Sequence, residues 1–179
     1  MFDFYYKAIQ KRLSEKVSEL ELVDYWLGET LDNEGNLLYT TPVALIEFLP
    51  IDWQSNSSIK VQYGTLYFRV HLINETRYDD DRRITDDVLG HHRLERDIYK
   101  ALDNFGCKVG YIPEFANSAI KDITLINDIT RTRSEPDHAL SPYLHSIQTF
   151  NTQVQDVSAN KEFTAVQNVS LMEMVTLPK

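Results

Sequence analysis

Apolar residues at the start of the chain recur every three or four positions: Phe2, Tyr5, Tyr6, Ile9, Leu13, Val17 and Leu20. That spacing sets them on one stripe of a helix, with Lys7, Gln10, Lys11, Glu15 and Lys16 largely on the opposite face. Asp3 suits the positive end of the helix dipole. A second helical rhythm runs over residues 86–105, through Val88, His91 or His92, Glu95, Ile98, Leu102 and Phe105. Thr85, Asp86 and Asp87 supply start signals, and Gly106 a C-cap.

Between and after these helices the period shortens to two. Leu66, Phe68, Val70 and Leu72 alternate with Tyr67, Arg69, His71 and Ile73, the pattern of a strand with one buried face. Residues 61–73 therefore read as a strand. Residues 43–49, nearly all apolar, read as a central strand covered on both faces. The two make antiparallel neighbours joined by the polar loop 53–60. A short apolar run, 22–26, precedes them as a first strand, and 32–36 is a turn cluster. Later, 123–133 alternates and 134–137 reads as a turn or longer loop. The stretch 144–157 alternates more loosely, completing a long hairpin. The order helix, strands, helix, strands predicts an α+β fold: a mostly antiparallel sheet with both helices on one face. Residues 1–157 form that domain. Residues 158–179 hold too many apolar side chains for a solvated tail, so they read as a C-terminal arm.

Charge narrows the partners. Eighteen basic against 27 acidic side chains leave a net charge of −9. Such a surface repels phosphate backbones and anionic lipid, so neither sequence-specific nucleic acid nor a membrane is expected as a partner. No apolar run approaches the ~18 residues of a membrane span, and the first residues lack the basic-then-apolar order of a signal peptide. The one cysteine, Cys107, cannot form an intrachain disulfide, which fits a reducing compartment.

Candidate chemistry thins on inspection. His91 and His92 are neighbours and diverge by roughly 100° on a helix. His91 and Glu95 could share a face as a metal half-site, but a third ligand is not evident nearby. Cys107 follows a helix C-terminus, where the dipole raises a thiol pKa. Glycine-rich phosphate loops and nucleophile elbows are absent from the sequence. No catalytic residue, cofactor or metal is expected. Surface candidates are stronger. Asp79, Asp80, Asp81, Arg82 and Arg83 read either as a solvated loop or as a polar contact surface. The ten tyrosines and eight phenylalanines mostly serve the core, with Phe2, Phe68 and Phe105 assigned there. Trp53, and Phe163, Met172 and Met174 of the arm, are the apolar interface candidates.

An N-terminal helix, a strand over 43–49 just after a Pro, an alternating strand over 65–73 and a mid-chain helix come in order. A late hairpin follows, Ile129-Thr130-Arg131-Thr132-Arg133 and then 144–154. This layout resembles the tail terminator or tail-completion (neck) proteins of tailed bacteriophages and prophages, over roughly residues 1–157. The resemblance implies a structural virion protein, assembled in the host cytoplasm. Its copies form a ring, usually hexameric, that caps the tail tube and joins it to the head connector, with DNA passing through. The family has no catalytic residues to carry over. Departures are the extension after Val157 and the longer loop at Asp79–Asp81. Other neck, stopper and minor tail proteins share similar layouts and stand as the alternative. A small metal-binding enzyme using His91, Glu95 and a remote ligand is the remoter one.

Overall fold

The structure, a computed structural model, describes residues 2–56, 61–75, 86–117, 121–140 and 143–156. The first helix, α1, spans Phe2–Lys16 and buries Phe4, Tyr5, Ala8, Ile9 and Leu13. The stripe is thus rotated slightly from the expected one. Phe4 and Ala8 face inward, while Phe2 is 46% exposed rather than core. The second, α2, spans Asp86–Leu102 and buries His91, Leu94, Ile98, Ala101 and Leu102. Its C-terminal turn is closed by Asn104, which takes the left-handed conformation (φ 56°) expected of Gly106. Gly106 instead allows close approach, since a Cβ there would lie 3.1 Å from the Ile126 carbonyl oxygen.

Among the described residues eight strands form one sheet: β1 (Leu22–Tyr25), β2 (Val43–Phe48), β3 (Trp53–Asn56), β4 (Val61–Asn74), β5 (Cys107–Lys108), β6 (Thr124–Ile126), β7 (Thr130–Asp137) and β8 (Leu144–Asp156). The order is β1-β2-β4-β8-β6-β5, with β3 added to β4 and β7 to β8. All neighbours are antiparallel except β1 and β2. The α+β class read from the pattern is the class observed.

The long strands β4 and β8 make the spine, paired from Gln62↔Asp156 to Asn74↔Leu144 without a register shift. Each is long enough to serve two short neighbours. On β4, β2 pairs with the second half and β3 with the first. On β8, β7 pairs with the first half and β6 with Val154. Trp53 to Asn56, expected in a loop, is therefore a strand. The expected single strand 123–133 is broken at 127–129 into β6 and β7, and the expected turn 134–137 continues β7. A turn needs no such residues as Ser134 and Glu135 when β8 offers them ladder partners, Gln148 and Ile147.

Alternation sorts the sheet into two faces. Ala44, Ile46, Leu66, Phe68, Val70, Leu72, Phe150 and Val154 meet both helices in the main core. Val43, Leu45 and Ile73 point the other way, under Leu22, Trp26, Leu37, Tyr39, Leu140 and Tyr143. Burying about 25 cal/mol per Å² of apolar surface makes the helix face the larger stabilising term. The smaller cluster is the one that positions the site.

Candidate functional site

On the face away from the helices, period two lines up four titratable side chains from four strands. Glu47 on β2 pairs in register with Arg69 on β4. Two residues along β4, on the same face, lies His71. It pairs with Ile147 on β8, and two residues back along β8 is His145. His145 pairs directly with Asp137 on β7. Diagonal neighbours on one face lie within reach of long side chains. Here they form a chain. Glu47 Oε2 lies 3.2 Å from His71 Nε2. His71 Nδ1 lies 3.1 Å from His145 Nε2. His145 Nδ1 lies 3.1 Å from Asp137 Oδ2. Arg69 Nη1 donates to Glu47 Oε2 at 3.1 Å and fixes that end.

Trp26 roofs the chain. Its ring stacks on His71 at 3.9 Å and 10°, and reaches His145 at 6.0 Å. The Trp26 N–H donates to the Ile46 carbonyl at 2.9 Å, which anchors the following loop. That loop turns on Asp32, whose Oδ1 accepts from the Glu34 and Asn36 N–H groups, with Gly35 at φ 85°. The Leu37 N–H donates to the Tyr143 hydroxyl at 3.2 Å and ties the loop to the start of β8. His71 and His145 are left 4% and 5% exposed. Burial pushes both imidazoles below their ordinary pKa, His145 to about 4. Glu47 opposes this at His71, and Asp137 at His145.

A second polar set holds α2 to the helix face of β8. Gln148 Nε2 donates to the Glu95 carbonyl at 2.8 Å. His91 Nε2 lies 2.9 Å from Ser146 Oγ. The Arg131 guanidinium covers the Tyr99 ring at 3.9 Å. Between the start of α2 and the Asp137/His145 end of β7 and β8 opens a cleft of about 390 Å³. His91, His92, His138 and His145 line it, four of the five histidines in the chain.

The His91–Glu95 half-site considered from the sequence is not the pairing the structure makes. His91 is buried against Ser146, and Glu95 Oε2 meets His92 Nδ1 at 2.7 Å. Among the described residues, no three His, Cys, Asp or Glu side chains gather as metal ligands. The Ser146–His91 pair lacks a carboxylate on His91 Nδ1, the group that orients a catalytic imidazole. Ser146 is itself 3% exposed. Cys107 sits in the core, where burial pushes its thiol up to about 12. Among the described residues, no helix is long and apolar enough to cross a membrane.

Of the interface candidates, Trp53 is described. It lies half-buried on β3 against the main core, with its ring over Gly64. Asp79, Asp80, Asp81, Arg82, Arg83, Phe163, Met172 and Met174 lie outside the described residues. Among the described residues the exposed large apolar side chains are Phe2, Tyr25, Leu27, Leu38, Tyr63, Tyr67 and Leu89. Phe2, Tyr25 and the half-buried Phe48 form one aromatic group, with centroids 5.6 Å and 6.1 Å from Phe48.

No protein-family model matches the chain, and no curated protein matches it. Among solved structures, it is similar to a chain described as "Virion of native gene transfer agent (GTA) particle". The two are 8% identical, with 84% of this chain and 94% of that chain covered, at a TM-score of 0.46.

Proposed function

We propose that the chain is a structural subunit of a tailed-phage-like particle, closing with copies of itself into a ring, hexameric, between the tail tube and the head connector. The observation that carries the reading is a sheet open on both sides. Among the described residues, no further strand pairs with β1 or with the outer side of β7. Strand edges with no further strand are templates for another chain. At β1, Gln10 Nε2 donates to the Val23 carbonyl and Asp24 Oδ1 accepts from the Tyr25 N–H, so it is the apolar side chains rather than the backbone that are left to a partner. Short β3 and β5 also end without a further strand among the described residues, but the edges of β1 and β7 are the pair that differ most in character. The β1 edge has the aromatic group of Phe2, Tyr25 and Phe48 beside it, with Leu27 77% exposed. The β7 edge is polar, with Arg131, Arg133, Glu135 and Asp137. Contact between unlike surfaces is heterologous, and such contacts close into rings when the rotation per subunit divides a full turn.

Helix, strands, helix and a late β7–β8 hairpin follow in the order of the layout that resembles the family, and the acidic balance suits a lumen through which DNA passes without sticking. Asp79, Asp80, Asp81, Arg82 and Arg83, expected from the sequence as a loop, and Phe163, Met172 and Met174, expected as part of an arm, are proposed contacts to neighbours. Trp53 is proposed to support them from β3. Gel filtration with light scattering tests the reading, with the full chain alone and then mixed with a tail-tube protein encoded nearby. A closed oligomer is expected in at least one of these. A strict monomer in both overturns it. A truncation before Ser158 that assembles normally removes the arm from the interface.

A further inference from the structure

The chain Glu47, His71, His145, Asp137 contains three contacts between polar atoms, and each needs one proton. Two neutral imidazoles carry two. If His71 Nε2–H donates to Glu47, its Nδ1 is bare and accepts from His145 Nε2–H. His145 Nδ1 is then bare too and faces the Asp137 carboxylate. The opposite choice of tautomers moves the same conflict to Glu47. The structure points to the first arrangement. Arg69 steadies Glu47, whereas His145 Nδ1 has no aligned hydrogen-bond partner among the described residues, although Asp137 Oδ2 is 3.1 Å away. One added proton would fill all three contacts and set an imidazolium between two carboxylates. A second would face two cations across 3.1 Å, in a site nearly closed to water.

We propose that Glu47, His71, His145 and Asp137 form a one-proton latch: it accepts a single proton while closed, and a second only when the Trp26 loop and the Asp137/His145 end of β7 and β8 lift from the sheet. Every element around it contributes. Glu47 of β2 and Asp137 of β7 favour the first proton. Arg69 of β4 opposes it at His71. His91 of α2, with Glu95 and His92 next to it, bears on His145 across the cleft. Glu135 of β7 is engaged by Arg133. His138 and Tyr143 line the cleft and Trp26 covers the two imidazoles, while Tyr39 packs on the apolar cluster beside them. The covering layer is thin, since the cluster beneath it has only Val43, Leu45 and Ile73 fully buried. That makes it the part of the molecule able to open alone.

The test uses the full chain between pH 8 and 4, with histidine side-chain nitrogens followed by NMR and backbone amides by hydrogen exchange. His71 and His145 are expected to shift together at one midpoint and to gain one proton between them. Below that midpoint, protection of the Trp26 and Leu38 amides is expected to fall about tenfold per pH unit, the signature of one proton taken up on opening. Amides of the spine beside Phe68 and Phe150 are expected to keep their protection. In His145→Gln the loop's pH dependence is expected to vanish while His71 titrates alone. Two complete and separate titrations in the closed protein would overturn the latch, as would pH-independent loop protection. Equal loss at loop and spine amides would also overturn it, since opening would then be global.

Discussion

Phe68 and Phe150 face each other across the centre of the β4–β8 ladder, with ring centroids 5.3 Å apart and planes 16° from parallel. Both are fully buried under the helices. Replacing either by Ala removes a ring from a packed layer that cannot collapse without moving the spine. The lost transfer energy and residual cavity together cost about 3–5 kcal/mol. The stacked pair adds about 0.5–1.5 kcal/mol beyond its burial, and either single variant forfeits that term in full. The double variant should therefore be about 1 kcal/mol less destabilised than the two single losses added together. A chain of this size loses roughly 2–4 °C of melting temperature per kcal/mol, so each single variant should melt some 6–20 °C lower. Urea unfolding followed by circular dichroism and by tryptophan fluorescence measures all four proteins. A single variant costing under about 1 kcal/mol would refute the view that this ladder is the centre of the fold. Strict additivity would refute the stacking.

Three further outcomes follow from the packing. An unfolded histidine takes up its proton near pH 6.5, whereas buried His145 waits until about 4, so its contribution to stability is complete above 6.5 and is lost as pH falls through that window. Denaturant titrations on His145→Gln should show a flatter acid limb than those on the unsubstituted chain. Gly64→Ala would set a methyl 2.5 Å from Ile51 Cγ2 and 3.1 Å from Trp53 Cε3, so a loss of about 1–3 kcal/mol should accompany a changed Trp53 emission. Cys107 should resist iodoacetamide at pH 8 while folded and react fully in denaturant, because burial holds its thiol up at about 12.

How much of this was legible beforehand depended on distance along the chain. Both helices, the central strand β2 and the spine strands announce themselves through local period, because burial on one face leaves a repeat that a short window can read. Helix ends were less readable. Asn104 took the left-handed position that Gly106 was expected to fill, since asparagine tolerates it and Gly106 was needed for contact with the Ile126 carbonyl. β3 was hidden because Trp53 to Asn56 is polar apart from its tryptophan, and its partners on β4 are what make it a strand. The polar chain was out of reach for a related reason. His71 sits in an alternating run beside Arg69 and looks like part of a wet face. Its meeting with His145, 74 positions away, depends on the register of β4 against β8 and on the roof that Trp26 makes over both rings. His91 and His92 stand out in the sequence because they are adjacent, yet adjacency on a helix sends side chains apart.

The spine has a mechanical meaning as well. β8 is paired with β4 along its whole 13-residue length, with no break in register. A load entering at the β1 edge crosses β2 and reaches an unbroken plate, which spreads it over many hydrogen bonds at once. On the far side the plate is joined to β7 through a ladder that slips between Arg131 and Arg133. A bulge bends and twists a strand more readily than regular pairing does. Flexing of the sheet under stress should concentrate at that slip, so the subunit would behave as a stiff panel with a compliant rim.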